Sequence, residues 1–251
     1  FYEGFLMSLS VCIYARNEED FIGKCIESAM ETNPDQIILG DNGSTDKTIE
    51  IAESYGIEIM HLDENIYPQL GFGEAYNYVA DRADSDWIMN LPGDSVIQTP
   101  HKVRQAVSNA HPRYHWINFY RPGEDVAHYS KREYFAFKHG RLYNKSAGIR
   151  YSRDLIHENL VDDKGRFLMP GRIDIHLVHQ DFGIKRKSHY ILEHYLLLKT
   201  VKNPQKHLQH LNRYWTDQYY PKNKAIVHAD AKKIRTIFPT LPVEDWEEID
   251  E

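Results

Sequence analysis

The sequence predicts an α/β fold in which a mainly parallel central sheet carries helices on both faces. Two observations carry this prediction. Short β-branched, apolar runs alternate with segments of helical apolar spacing from residue 8 to residue 120. Polar turns rich in Asp, Asn and Gly separate these segments. Such alternation implies right-handed crossovers between parallel strands, because the connecting helices must pack back onto the sheet.

The predicted strands are short runs of β-branched and other apolar residues that stop at polar segments. They are SLSVCIY at 8–14, QIILG at 36–40, IEIMHL at 57–62, DWIMNL at 86–91 and YHWINFY at 114–120. The predicted helices lie between them. Their landmarks are an apolar face over 22–30, a cap at Ser44 or Thr45, a terminating Gly56, the segment GEAYNYVADRA at 73–83, and the Thr99–Pro100 pair that begins the fourth helix.

Length and composition predict one large domain with a C-terminal helical extension. The chain has 251 residues, of which 41% are hydrophobic, and this is enough for a full core. The expected divisions are an α/β half at 7–121, a second part of the same domain at 122–187, and the extension at 188–251. We expect the apolar stripes of the extension to pack on the domain or on a second subunit. The second arrangement would give a homo-oligomer.

Charge and hydropathy exclude two classes of partner. The net charge is −7 and no block of six like charges occurs, so we expect no nucleic-acid partner. No apolar stretch approaches the roughly 20 residues that span a bilayer, and no leader pattern opens the chain. With Met7 as the expected natural start, the expected location is cytoplasmic, with peripheral membrane attachment as the alternative. Cys12 and Cys25 are expected to be buried free thiols.

Polar residues follow the predicted strands at the edge where ligands of open parallel sheets bind. The segments are ARNE at 15–18, DNGSTD at 41–46, the stretch 63–73, and PGD at 92–94. No GxGxxG follows the first strand and no GxxxxGK[ST] occurs, which argues against a dinucleotide or P-loop site.

These segments resemble the family 2 glycosyltransferases of the GT-A fold. The matching stretches are ARNEEDFIGKCIES, DNGSTDKT where the family has a DDGSTD-like motif, and GEAYNYVADRADSDWIMNL, and together they span roughly residues 8–98. A weaker similarity, through LIHENL at 155–160 and HLVHQDFG at 176–183, is to bacterial transferases of the lipopolysaccharide-core type. The resemblance implies an inverting sugar transferase that uses a nucleoside-diphosphate donor, with UDP favoured.

The resemblance and the strand-end positions together indicate a nucleotide pocket. The Asp41 carboxylate can accept a hydrogen bond from N3 of uracil; the alternative is a turn residue that binds nearby backbone. Arg16 is expected to face a phosphate, with a surface salt bridge as the alternative. Asn77 matches a helix asparagine of the family, and a polar helix-surface residue is its alternative. The full expected set is Ala15, Arg16, Asn17, Glu18, Asp41, Asn42, Gly43, Asn77 and Gly93.

The expected metal site departs from the family pattern. The family usually has Asp-x-Asp after the fourth strand, whereas this chain has Pro92, Gly93 and Asp94. Asp94 is the expected ligand of Mn²⁺ or Mg²⁺, and a turn-capping role is its alternative. By resemblance, His179 completes the metal shell, and its imidazole would favour manganese over calcium. A structural histidine is the alternative.

An inverting transferase also needs a general base for the acceptor proton. By resemblance, Glu158 is the expected base and His157 a neighbour of phosphate or acceptor. A surface salt bridge is the alternative for Glu158, and three nearby carboxylates are further candidates for the base. They are Asp154, Asp162 and Asp163.

The expected activity is therefore transfer of a sugar from a nucleotide-sugar to a glycan, lipid-linked or protein acceptor. Two alternatives remain. A catalytically degenerate module that binds nucleotide-sugar is suggested by Pro92. A sugar nucleotidyltransferase would carry a Gly-rich phosphate loop after the first strand, where this chain has ARNEED.

Overall fold

A computed structural model describes residues 7–63, 66–109, 115–120, 138–153, 158–168 and 171–180. Within these ranges only the backbone is described for 67–70, 115–120, 138–140, 171–174, 176 and 179. The chain divides into two compact units, Phe1–Gln180 and Asp181–Glu251, and every described residue belongs to the first. The expected C-terminal extension lies outside the described residues, so the predicted three-part division stays a prediction.

Strands and helices alternate from the start of the described chain, as predicted. Further strands, of two to nine residues, follow the fourth helix. The elements are β1 Leu9–Ala15, α1 Ile22–Met30, β2 Gln36–Asp41, α2 Thr48–Ser54, β3 Glu58–His61, α3 Ile66–Arg82, β4 Trp87–Pro92, β5 Ser95–Ile97, α4 Pro100–Asn109, β6 His115–Tyr120, β7 Lys138–Asn144, a 3-10 turn Lys145–Ala147, β8 Arg150–Tyr151, β9 Leu160–Val161 and β10 Gly171–His179.

Eight of these strands form one mixed sheet in the order β3-β2-β1-β4-β7-β6-β10-β5. The first four strands of the chain pair in parallel, whereas β7 runs antiparallel to both of its neighbours. β10 is parallel to β6 and antiparallel to β5. β8 and β9 form a separate antiparallel hairpin. The prediction of a mainly parallel sheet is confirmed.

Helices cover both faces of the sheet, which also confirms the prediction. Ile22 of α1, Ala52 of α2 and Val103 of α4 share one core with the sheet, and Val79 of α3 packs in a second core on the other face. β1 lies between the two cores and is buried along its whole length. A fully buried Ile or Val side chain contributes roughly 1.5–3 kcal/mol, so these two cores dominate the stability of the unit.

The α1 face follows the expected helical spacing. Ile22, Cys25, Ile26 and Ala29 are buried, whereas Met30 at the end of the helix is 41% exposed. Both cysteines are buried free thiols, as expected. No helix within the described residues is long and apolar enough to cross a membrane.

The ends of the helices were predicted less well. α2 begins at Thr48, and its side chain and backbone N–H both donate to Asp46, whereas the Ser44 hydroxyl accepts from Asn17 N at 2.9 Å. Ser44 is therefore a bridge between loops and not a helix cap. Gly56 follows the last residue of α2 with φ of 67°, as expected of a C-terminal glycine. α3 starts at Ile66, before the predicted segment.

Candidate functional site

The carboxyl ends of β1, β2, β3 and β4 meet at one edge of the sheet. In register, Ala15 lies opposite Asp41, Asp41 opposite His61, and Tyr14 opposite Pro92. The polar segments that the sequence places after separate strands are therefore neighbours in space. This is the edge at which open parallel sheets bind their ligands.

The loops after β1 and β2 bind each other through side-chain to backbone hydrogen bonds. Asn17 N donates to Ser44 Oγ at 2.9 Å, and Thr45 N donates to Asn17 Oδ1 at 2.7 Å. Glu18 N donates to Thr48 Oγ1 at 2.7 Å. Asn17 adopts a φ of 54°, a left-handed conformation that Asn tolerates better than most residues. The two loops form one preorganised wall of the edge.

Asp41 carries out the turn role that the sequence offered as one of its two alternatives. Its carboxylate is buried and accepts from Gly43 N at 3.1 Å and from Ser44 N at 3.2 Å. Two carboxylate oxygens offer about four acceptor positions, so this turn leaves capacity for a further donor. His61 Nδ1 lies 3.8 Å from Asp41 Oδ2 on a side chain that is 74% exposed. Base recognition and the turn role are therefore compatible in one residue.

Tyr14 lies beneath this wall. Burial raises the pKa of its hydroxyl well above the ordinary value, while the Arg16 charge and the nearby Asn42 side chain act in the opposite direction. Asn42 is itself buried, and its backbone N–H donates to Ala15 O at 3.0 Å. The neutral side chain of Tyr14 lies below the charged loops at the carboxyl edge of the sheet.

The Pro92–Gly93–Asp94 loop packs directly on the loop after β1. Gly93 N donates to Tyr14 O at 2.9 Å, and a Cβ on Gly93 would lie 2.8 Å from Ala15 Cβ and 3.1 Å from Glu18 Cγ. No side chain fits there without moving the loop. After burial itself, the charges of Asp94 and Glu18 are the groups that raise the pKa of the Cys25 thiol, so both carboxylates lie near it.

The far end of β10 reaches the same loop. His179 lies opposite Ser95 in the antiparallel pair, and Gln180 N donates to Asp94 O at 2.7 Å. The structure thus brings the backbone of His179 next to Asp94, although the two residues are 85 positions apart in the chain. Only the backbone of His179 is among the parts of the chain that the structure describes.

Asp94 and Glu18 are oxygen donors of the kind that hard divalent cations prefer. Within the described side chains no group of three His, Cys, Asp or Glu residues comes together as a metal cluster. The Asp94 carboxylate accepts from Ser95 Oγ at 3.2 Å, so the turn-capping alternative is present here as well. The described residues fit part of a cation site.

Glu158 lies in the β8–β9 hairpin and is 8% exposed. Two of the other candidates for this region, His157 and Asp154, lie outside the described residues. Asp162 accepts from Arg166 Nε at 2.7 Å, and that hydrogen bond lowers the pKa of the Asp162 carboxyl. Asp163 is exposed. Among the described carboxylates of this hairpin, Glu158 is the buried one.

Asn77 and Arg141, on the α3 side of the sheet, make contacts that the sequence did not predict. Asn77 is buried, and its amide binds the backbone of Tyr151, so the nucleotide contact expected of it stays a prediction. Arg141 of β7 is buried with its guanidinium 5.1 Å from the Tyr76 ring centre, and Tyr76 in turn packs 5.8 Å from Tyr14. Sequence reasoning missed Arg141 because no strand was predicted around it.

The sheet order and the loops at its carboxyl edge define an α/β protein of the GT-A fold. The chain belongs to the glycosyl transferase family 2, whose model matches residues 10–187. The family assignment inferred from the sequence motifs is confirmed.

Curated relatives match over shorter segments. The lipopolysaccharide core biosynthesis glycosyltransferase LpsC of Rhizobium meliloti is 32% identical over 91 residues, which are 35% of this chain and 32% of that protein. An uncharacterized glycosyltransferase of Rickettsia typhi is 29% identical over 89 residues, which are 36% of this chain and 28% of that protein. The chain thus matches about a third or less of the length of these relatives.

Among solved structures, the fold is similar to that of glucosyl-3-phosphoglycerate synthase from Mycobacterium tuberculosis, crystallised with Mn²⁺, UDP and glucosyl-3-phosphoglycerate. The TM-score is 0.51 at 18% identity, and the match covers 77% of this chain and 79% of that one. At this identity the similarity supports the fold alone.

Proposed function

We propose that the chain transfers a sugar from a UDP-sugar to an acceptor, with inversion and with the help of a divalent metal. The observation that carries the proposal is the placement of Asp41 at the end of β2 and of Asp94 just after β4, because these two strands flank β1. Neighbouring strands lie about 4.8 Å apart, so two strand spacings separate the ends of β2 and β4 by roughly 10 Å. That span suits a nucleotide whose base lies at one end and whose diphosphate lies at the other.

Each nucleotide residue takes a role that its position supports. Asp41 accepts from N3 of uracil with the acceptor capacity that its turn leaves, and Arg16 faces the phosphates from the end of β1. Backbone and small side chains of the interlocked loops line the rest of the pocket. They are Ala15, Asn17, Glu18, Asn42, Gly43 and Gly93.

In the proposed reaction, Asp94 and His179 hold Mn²⁺ or Mg²⁺, with Glu18 beside them. When bound, such a cation neutralises charge on the leaving diphosphate. Glu158 takes the proton of the acceptor hydroxyl, and His157 lies next to it in the chain. The buried position of Glu158 supports this role, since its 8% exposure keeps the carboxylate apart from most of the bulk water.

A second candidate function rests on Pro92. This residue ends β4 where the family usually has a first carboxylate, and its carbonyl accepts from Cys25 Sγ at 3.5 Å. A loop with one carboxylate fewer holds a cation less strongly. A module that binds UDP-sugar without turnover is therefore the alternative to the transferase.

Nucleotide binding tests the first half of the proposal. The melting temperature is measured with UDP, CDP, GDP and ADP, each with and without Mn²⁺. UDP is expected to raise it most, and Mn²⁺ to increase the rise, because a ligand at 100 times its Kd stabilises the folded state by about 2.7 kcal/mol. Absence of any nucleotide effect would contradict the proposal.

Turnover separates the two candidate functions. Release of UDP from UDP-glucose, UDP-galactose and UDP-N-acetylglucosamine is followed with water as the acceptor. A transferase is expected to hydrolyse one of these donors slowly and to need Mn²⁺ for it. Binding of UDP without any metal effect or hydrolysis would replace the transferase by the binding module.

A further inference from the structure

A seam between α3 and the β8–β9 hairpin lies beside the candidate base. Asn77 is buried in α3, and its side-chain amide binds both polar backbone atoms of Tyr151. Asn77 Nδ2 donates to Tyr151 O at 3.0 Å, and Tyr151 N donates to Asn77 Oδ1 at 2.9 Å. A reciprocal pair of hydrogen bonds fixes β8 against the helix in both position and direction.

Gly73 lies one helical turn before Asn77, on the same face of α3. A Cβ at Gly73 would lie 2.3 Å from Ser152 O and 2.9 Å from Glu158 Cβ. The backbone of α3 therefore contacts the hairpin at Glu158, the candidate base. A larger side chain at this position would push the hairpin away.

The hairpin transmits a movement of β8 to Glu158. Ser152 N donates to Asn159 O at 2.7 Å, and Asn159 N donates to Ser152 Oγ at 3.1 Å. Asn159 follows Glu158 directly in the chain. Any shift of Tyr151 on the helix thus moves the backbone on which Glu158 is carried.

Charged pairs along the seam contribute less to its placement than the amide does. Glu74 lies 3.6 Å from Arg150 Nη2 and 3.6 Å from Arg153 Nη2, but these arginine side chains are 45% and 80% exposed. Ion pairs of exposed side chains are weakened by water and contribute little. Loss of one partner of a buried hydrogen bond leaves the other unsatisfied, so Asn77 holds the hairpin more strongly.

We propose that Asn77 is a positioning residue for Glu158. Its amide clamps Tyr151, Gly73 lets the hairpin approach the helix, and the hairpin holds Glu158 at the edge of the site. The catalytic consequence rests on the proposed function, whereas the placement of Glu158 does not. Asn77 therefore acts on the site through the hairpin, and its amide is engaged by the Tyr151 backbone and by Glu74 Oε2, to which Asn77 Nδ2 donates at 3.1 Å.

The placement is tested without reference to activity. Hydrogen exchange is measured for peptides that cover 150–153 and 158–161, and Glu158 is labelled with a water-soluble carbodiimide. In Asn77→Ala both the exchange rates and the labelling are expected to rise severalfold, because the hairpin separates from α3. Gly73→Ala should produce the same changes from the other side of the seam. Unchanged protection and unchanged labelling in both variants would overturn the proposal.

Turnover tests the consequence for the base. Using the UDP-sugar that the wild type hydrolyses, Asn77→Ala is expected to lower kcat by about tenfold or more, equivalent to about 1.4 kcal/mol of barrier. The KM for the donor and the UDP affinity should stay within about twofold, because the loops after β1 and β2 are untouched. A rise in KM with unchanged kcat would assign Asn77 to the nucleotide instead and overturn the proposal.

Two matched variants control for a general loss of stability. Tyr78→Ala changes the next residue of α3, which is 53% exposed, and should leave kcat unchanged. Asp35→Ala removes a hydrogen bond from Leu9 N at the opposite edge of the sheet, and should lower the melting temperature without lowering kcat. If Asp35→Ala lowers kcat as much as Asn77→Ala does, the role of Asn77 is only structural. If the wild type hydrolyses no donor, the base role fails together with the proposed function, and exchange and labelling still decide the placement.

Discussion

The Asp41 carboxylate has acceptor positions beyond those that its turn uses. It closes the turn after β2 through Gly43 N and Ser44 N, and it keeps acceptor capacity toward the edge of the sheet. An asparagine at this position would keep a carbonyl oxygen for the turn. It would also present an NH₂ group, which donates to N3 of cytosine and opposes the N3–H of uracil.

We therefore expect Asp41→Asn to weaken UDP binding by about 1–3 kcal/mol and to narrow the preference for UDP over CDP. Calorimetric titration of both nucleotides measures this. Asp46→Asn is the matched control, because Asp46 also accepts backbone hydrogen bonds in this loop, from Glu19 N and Thr48 N. An unchanged UDP to CDP ratio in folded Asp41→Asn would exclude base recognition by this residue.

For single residues, the sequence predicted where polar side chains lie along the fold better than it predicted their hydrogen-bond partners. Strand-end residues such as Asp41 and Asp94 follow from the apolar runs before them. The bond from Asn17 N to Ser44 Oγ joins residues that are 27 positions apart, and no local propensity indicates it. Asn77 shows the same limit, since Tyr151 is 74 positions away.

At the scale of elements, the loop between β4 and β5 is held from three sides. Gly93 packs on the loop after β1, the Pro92 carbonyl faces Cys25 of α1, and Gln180 N binds Asp94 O after β10. These contacts fix the backbone of Asp94 independently of its carboxylate. A substitution of the side chain alone should therefore leave the loop in place.

Under the proposed function, Asp94→Asn and His179→Ala are each expected to abolish Mn²⁺-stimulated hydrolysis of the donor, because each removes one ligand of the cation. Metal-free UDP affinity should stay within about twofold, because the proposed uracil contact at Asp41 is unchanged. Titration of Mn²⁺ against activity, with UDP binding measured separately, checks this. Pro92→Asp should lower the Mn²⁺ concentration needed, provided that the loop tolerates loss of the fixed φ. Full metal-dependent activity in both single variants would place the cation on other ligands.

Elements beyond the parallel half were harder to predict. β5 and β9 contain three and two residues, too few for a period of two to be recognised. β7 has the sequence KHGRLYN, and its charged residues and glycine are not typical of a strand. It nevertheless pairs with a strand on each side. The start of α3 was missed because Gly71, with φ of 81°, interrupts the helix just before the predicted segment.

For the whole molecule, the edge opposite the site is tied together by Asp35 and Arg104. Asp35 Oδ2 accepts from Leu9 N at 2.7 Å and from Arg104 Nη2 at 3.0 Å, and Arg104 also binds Asn33 O and Met7 O. The Leu9 N–H is the main cause of a lowered pKa of the Asp35 carboxyl, and Arg104 lowers it further. This edge joins β1, the segment before β2, and α4.

A carboxyl with a lowered pKa in the folded state stabilises that state fully above the pKa of the unfolded chain, about 3.9. This contribution is lost as the pH falls through the folded-state pKa. We expect urea unfolding of the wild type to show a larger loss of stability below about pH 4 than that of Asp35→Asn, which cannot ionise. Parallel stability curves for the two proteins from pH 6 to acid would contradict the assignment, with the exposed Glu31→Gln as control.

At this scale the fold class could be predicted because alternation of elements is a property of the chain itself. The order of strands in the far half of the sheet could not, since β7, β6 and β10 pair across long sequence separations. Membership of the family came from motifs in the parallel half, where Asp41 and Asp94 lie at or just after the ends of β2 and β4.

The pairing of His179 with Ser95 has a consequence for the order in which the site is built. Contacts between residues close in the chain form first, because closing a longer loop costs more entropy. The interlocked loops around Asn17 and Ser44 need little more than the first two strands. The surroundings of Asp94 are complete only when β10 has docked, so during synthesis the loops after β1 and β2 can form before the ribosome has released the residues that complete the surroundings of Asp94.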